Sequence, residues 1–213
     1  MNKEEIIKLD WTKRWSGPFR LFACSYWGEQ YISINKKVLG QGFKNVLFLH
    51  KAGVTSLYRI TTETNSLGKF LAKQTEEHPE LFTSWSDNFK KYADQLRDLF
   101  HEPIDNFFKI NKFLQFEEVF DAYHFMAVYN NTVVDYLSED LINKYGKKLS
   151  ELRTYTESIY NEAESFFRTL TDRISKIEDR DQLSTQDLFY DEFKKYLDTG
   201  VLPIEDEMDE RYI

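Results

Sequence analysis

The sequence predicts a mainly α protein, an antiparallel helical bundle carrying one small β-hairpin near residues 45–61. Three observations point there. Apolar residues recur at spacings of three and four over most of the chain. Only one pair of β-rich runs flanks a short turn. Eight glycines and four prolines in 213 residues are too few for an all-β or disordered chain. Eighteen Phe, thirteen Tyr and four Trp supply the core, each burying roughly 150–250 Å².

The first informative stretch is RWSGPFRLF, residues 14–22. Ser16 or Gly17 reads as a helix N-cap with Pro18 in the first turn, where its missing N–H costs nothing, and Trp15 reads as a staple onto Phe19 or Phe22. A helix follows over 19–38, with Phe19, Phe22, Tyr26 and Ile34 near one face and Gly28 weakening its middle. The GQG at 40–42 stops it. NVLFLH and TSLYRIT around KAGV then read as the hairpin. Ser66 is placed to cap a helix to about 77, before Pro79. Leu81, Trp85, Phe89, Tyr92, Leu96 and Leu99 mark an amphipathic helix over 80–101. The segment IDNFFKINKFLQFEEVFDAYHFMAVY is apolar around much of its circumference, so it reads as the most buried helix. Ser138 starts a short helix that Gly146 closes. Leu149, Leu152, Ile159, Ala163, Phe166, Leu170, Ile174 and Ile177 predict one bundle helix over 147–178. Ser184 with Asp187 resembles a capping pair for 185–198, and Gly200 ends that helix. The whole is expected to be a single helical domain over 1–213. Residues 1–61 hold the first helix and hairpin, 62–200 the bundle, and 201–213 the start of a linker to a following domain.

Charge is unevenly spread along a chain of net charge −8: residues 1–60 carry +6, residues 61–180 carry −7 and residues 181–213 carry −7. A basic front either attracts an anion or pairs with the acidic helices of the same chain. Nucleic acid is not expected, because no dense basic run occurs. No apolar stretch approaches the ~20 residues that cross a bilayer, and the first residues do not form a signal peptide. Cys24 has no partner for an internal disulfide. A soluble cytoplasmic protein is expected.

Candidate chemistry is sparse. Glu117, Asp121 and His124 fall at i, i+4 and i+7 on one helix face, a weak candidate for a metal site. Asp121-x-x-His124 is an acid-x-x-His, but a di-iron bundle uses Glu-x-x-His on each of two helices with a Glu from each of two others, and that set is not marked here. A polar stripe on a half-buried helix explains the same letters, and no cofactor is expected in this chain. His78 and His101 stand at helix ends and complement the dipole there. Glu117 and Glu118 are adjacent and point apart. Cys24 has Arg20 one turn earlier but reads as a buried, inert thiol. No Walker or Rossmann phosphate loop occurs. Arg14 and Arg20 flank a helix N-terminus, where free N–H groups favour anions. They read either as a weak anion-binding pair or as partners of the acidic helices.

The order of these features resembles the helical connector region of phosphoenolpyruvate synthase and pyruvate phosphate dikinase-like phosphotransferases. The matching features are Trp11 followed by Trp15 and Pro18-Phe19, the helix through Ser25 and Trp27, the hairpin with Tyr58-Arg59, the long aromatic helices and the ending FYDEFKKYLDTGVLPIEDEMDERYI. The resemblance implies a non-catalytic region that positions a mobile phosphohistidine domain. Partners would be that domain or a nucleotide-binding domain, in cis or in trans. No histidine here stands in a Thr-x-Gly-Gly-x-x-x-His-like setting, so this chain is expected to lack the phosphohistidine and to be a fragment or subunit of an ATP/phosphoenolpyruvate phosphotransferase. A stand-alone interaction module using an exposed aromatic groove is the alternative, and a carboxylate-metal enzyme a third reading.

Overall fold

The computed structural model describes residues 3–181, 185 and 187–203. It is mainly α with a small antiparallel sheet. The helices are α1 (Lys3–Ile7), α2 (Leu21–Leu39), α3 (Thr61–Glu77), α4 (Pro79–Phe100), α5 (Ile110–Val133), α6 (Glu139–Thr156), α7 (Ile159–Glu178) and α8 (Tyr190–Thr199). Short 3-10 turns occupy Ile104–Phe108 and Val134–Tyr136. The strands are β1 (Trp11–Gly17), β2 (Val46–Lys51) and β3 (Val54–Ile60), in the order β1-β3-β2.

The expected hairpin is β2–β3. Its two-residue turn holds Ala52 at φ 51° and Gly53 at φ 77°, the left-handed pair that matches strand twist in a tight hairpin. The third strand departs from expectation. RWSGPFRLF is not a helix entry: residues 11–17 pair with β3, and α2 begins only at Leu21. Two-sided polarity and a register shift between Lys13 and Trp15 erase the period-2 pattern, as edge strands and bulges do. Trp15 does pack edge-on against Phe19, 5.2 Å between centroids.

Other boundaries shift for local reasons. β3 runs directly into α3 at Thr61, so Ser66 lies inside that helix rather than capping it. Ser138 does cap α6, accepting from the Leu141 N–H at 3.4 Å, but the helix passes through Gly146 to Thr156. The single helix expected over 147–178 is two. Arg97 Nη2 donates to the Tyr155 carbonyl at 2.6 Å, and the Tyr123 hydroxyl to the Thr156 carbonyl at 3.1 Å. Those carbonyls serve α4 and α5, and α7 restarts at Ile159. Ser184 of the expected capping pair lies outside the described residues, as do residues 204–213 of the expected linker. Helix α8 starts at Tyr190, where Glu192 Oε2 accepts from the Phe189 N–H at 2.7 Å, and Gly200 ends it at φ 70°.

Helix α5 is the centre of the bundle, with α2, α3, α4, α6 and α8 against it. Phe113, Phe116, Phe120 and Tyr123 are fully buried. Phe116 meets Phe166 of α7 at 5.1 Å and Phe120 at 5.7 Å. Phe22 of α2 contacts Phe167, Tyr190 and Phe193 at 5.0–5.8 Å, so one ring ties α2 to α7 and α8. Gly68 lets α3 lie flat on the Tyr136 ring, because a Cβ at that position would fall within the ring.

Phe22→Ala is expected to cost about 3–5 kcal/mol, as for buried aromatics generally, and Gly68→Ala to destabilise despite the better helix propensity of alanine. Urea unfolding midpoints check both. A Gly68→Ala variant more stable than wild type would show that Tyr136 yields without loss.

Candidate functional site

Helices α2, α4 and α5 leave a surface cleft of about 550 Å³ between them. Its walls are Trp85 and Tyr92 of α4, Phe125 and Met126 of α5, and Ile34, Lys37 and Val38 of α2. Periodicity placed Trp85 and Tyr92 on the inward stripe of α4. That stripe instead centres on Phe82, Phe89, Ala93 and Leu96, so the two larger rings sit at its margin and line the cleft.

Glu117, Glu118 and Asp121 border the same cleft. Glu117 Oε1 is paired with Lys194 Nζ of α8 at 2.9 Å. Asp121 is different. Its Oδ1 accepts from the Tyr26 hydroxyl at 2.9 Å, and among the described residues no cation lies within 4.0 Å of it. Burial pushes its carboxyl up to about 6, with Glu117 adding to the rise and the Tyr26 hydrogen bond and Lys37 opposing it. Tyr26 is stacked on Tyr190 at 4.0 Å and 12°.

His124 does not join Glu117 and Asp121. It is fully buried on the side of α5 that faces α2 and α7, edge-on to Tyr31 at 4.7 Å, with Nδ1 3.0 Å from the Tyr160 hydroxyl. Burial, and then the charge of Arg59, push the imidazole down to about 3, so the ring is neutral. Among the described residues no three His, Cys, Asp or Glu side chains are grouped as a metal ion requires. The Cys24 thiol, pushed up to about 12 mainly by burial, stays protonated.

The two arginines predicted near the N-terminus go separate ways. Arg14 falls at the β-bulge, and its Nη2 lies 3.9 Å from Oδ2 of Asp135, a side chain 64% exposed. Arg20 caps α2 through its backbone alone, its N–H donating to Glu164 Oε2 at 3.2 Å. Glu164 is buried on α7 and also accepts from Arg168 Nε at 2.7 Å, while Arg168 Nη2 donates to the Pro18 carbonyl at 2.9 Å. A carboxylate of the chain itself therefore occupies the anion position at the start of α2. The basic front is otherwise not neutralised internally: of the Lys and Arg residues before position 61, Arg14 alone makes an ion pair among the described residues. Sequence reasoning gave Glu164 and Arg59 no role in a site. The Arg59 signal was present, since Thr55, Leu57 and Arg59 alternate on one face of β3 and all three are buried.

No family model, no curated protein and no solved structure matches the chain. No helix among the described residues is long and apolar enough to cross a membrane.

Two buried groups give opposed pH dependences. His124 is held below its unfolded value of ~6.5, so its contribution to stability is present above pH ~6.5 and lost as pH falls toward 3. Asp121 is held above its unfolded value of ~3.9, so folding takes up a proton and stability is gained as pH falls from about 6 to ~4. The two effects oppose each other between about pH 6 and ~4, and the His124 effect alone continues below that toward pH 3. Asp121→Asn, which removes the opposing effect, should steepen the loss of stability between pH 6.5 and 4, and His124→Gln should flatten it. Urea midpoints across that range test this, and a shallower profile for Asp121→Asn would contradict it.

Proposed function

We propose that the chain is a helical docking module whose α2/α4/α5 cleft receives a basic side chain of a partner. The observation that supports this is Asp121, a half-buried carboxylate that makes no ion pair among the described residues, with Lys37 acting on it only at longer range, at the edge of an aromatic-walled cleft. Burying an acid without a counter-charge is unfavourable. Aromatic walls around a single desolvated charge have the character of an interface hot spot, where a few residues carry most of the binding free energy. A lysine or arginine entering the cleft would pair with Asp121 and lie against Trp85 and Tyr92, where cation–π attraction adds roughly 0.5–2 kcal/mol.

The sequence resemblance supplies the setting for this reading. As the connector of a phosphoenolpyruvate-utilising phosphotransferase, the module would hold a mobile phosphohistidine domain, or the nucleotide-binding domain it visits, in cis or in trans. The support for that setting is the order of aromatic and turn positions along the chain, and the cleft is the surface we assign to it.

Two titrations separate the parts of the proposal. Arginine amide, followed by nuclear magnetic resonance, should shift signals of Trp85 and Tyr92. Asp121→Asn should weaken it at least about tenfold, near the scale of losing one charge-assisted contact. An isolated phosphohistidine mobile domain from a phosphoenolpyruvate-utilising enzyme should bind the same face, and Val38→Lys at the exposed rim should repel it. If the amide binds and the mobile domain does not, the connector setting fails while the docking cleft stands. If neither binds, the docking reading fails.

A further inference from the structure

Arg59 lies on β3 and is 4% exposed. A guanidinium cannot shed its proton under ordinary conditions, so it is a charge in the interior, and such charges are found paired with acids. Here no carboxylate lies within 4.0 Å among the described residues; Arg14 carries the nearby charge of note, and it has the same sign. The partners of Arg59 are neutral. Nη1 donates to Thr132 Oγ1 at a long 3.4 Å, the Phe43 ring lies 4.8 Å from the guanidinium carbon, and the Tyr31 ring lies 5.8 Å away. Nε is buried and has no hydrogen-bond partner.

These contacts leave one part of the group unused. Aromatic rings engage the face of a guanidinium, whereas an oxyanion is gripped in its plane by two parallel N–H groups. The edge bearing Nε is therefore unpaired while the face is covered. One further unmet polar atom lies close by: His124 Nε2 is also buried without a partner, and the His124 ring is edge-on to Tyr31, the ring that also flanks Arg59. An uncompensated buried cation with an unpaired Nε–H donor calls for an anion.

We propose that Arg59 is the centre of an internal binding site for a small oxyanion, a carboxylate or phosphate group held at the Nε edge, with Arg14 adding to its positive field. The bulge that re-aims Arg14 brings the second charge close without giving it an inward acid: Asp135 is loosely placed and mostly exposed. In the loop between α2 and β2, Gln41 and Lys44 are exposed while Phe43 turns inward onto Arg59. This site is separate from the Asp121 cleft and opposite in sign, so it stands or falls independently of the docking reading.

The test is a thermal-unfolding series on the full chain with sodium phosphate and with sodium acetate, against sodium chloride at equal ionic strength. Phosphate, acetate or both should raise the wild-type midpoint by about 2–4 °C at concentrations a few-fold above Kd, and chloride should not. Which of the two acts tells a phosphate site from a carboxylate site. Arg59→Met should match or exceed the unliganded wild type in stability, because an unpaired buried charge is removed, and should lose the response to the anion. Arg59→Lys keeps the charge without the two-pronged edge and should bind at least about tenfold more weakly. Arg14→Gln should weaken binding by a smaller factor. A wild type that responds to phosphate and acetate no more than to chloride would overturn the proposal. So would an Arg59→Lys variant with an undiminished response.

Discussion

Burial of the second half of α5, residues 123–130, on every side is the constraint on which the rest of the structure depends. A helix so enclosed leaves its polar side chains only two outcomes: a partner within the protein, or a place on the narrow strip that reaches the surface. Tyr123 takes the first, donating to the Thr156 carbonyl, and in doing so it helps end α6. Thr132 takes it too, holding Nη1 of Arg59. Glu117 and Asp121 take the second, at the edge of the cleft between α2 and α4. His124 has a half-measure: one ring nitrogen meets Tyr160 and the other meets nothing.

The two sites proposed for the protein follow from that one helix. Asp121 near its middle and Thr132 near its end sit by surplus charges of opposite sign, a carboxylate at the surface and a guanidinium in the interior. Neither charge is answered by the obvious neighbour. Lys194 is taken by Glu117, and Asp135 leans toward Arg14 at the rim. In a chain of net charge −8, the buried Arg59 with Arg14 near it keeps one locally positive part of the interior. The buried Glu164 shows what full compensation looks like in the same protein. It accepts from Arg168 and from the Arg20 N–H, so the start of α2 needs nothing from outside.

Much of the helical framework was legible in the sequence, because three-and-four spacing reports directly on burial of one face. The misreadings share a cause: in each, a tertiary contact overrode a local signal. Residues 11–17 lack alternation, and they form a strand because β3 offers them an edge. Gly146 has the usual form of a helix stop, yet packing of Tyr145 and Leu149 carries α6 through it. The break after Thr156 comes from donors on α4 and α5 that no local pattern announces. At the site level, i,i+4 spacing correctly joined Glu117 to Asp121; His124 at i+7 keeps nearly the same face, about 20° away, but lies about 10 Å further along the axis, where residues 123–130 are all buried. Arg59 could have been placed inside β3 by alternation. Its lack of an acid could not, because that is a property of everything packed around it.

Arg59 stands as an uncompensated charge in the interior, and its field reaches His124. The most direct measurement is the titration of the His124 ring by nuclear magnetic resonance, with and without phosphate. The account predicts a ring that stays neutral down to about pH 4, well below the ordinary histidine range, and whose midpoint moves upward when an anion offsets the charge of Arg59. A His124 that titrates near pH 6.5 and ignores phosphate would contradict it, showing an interior that is wet and already compensated.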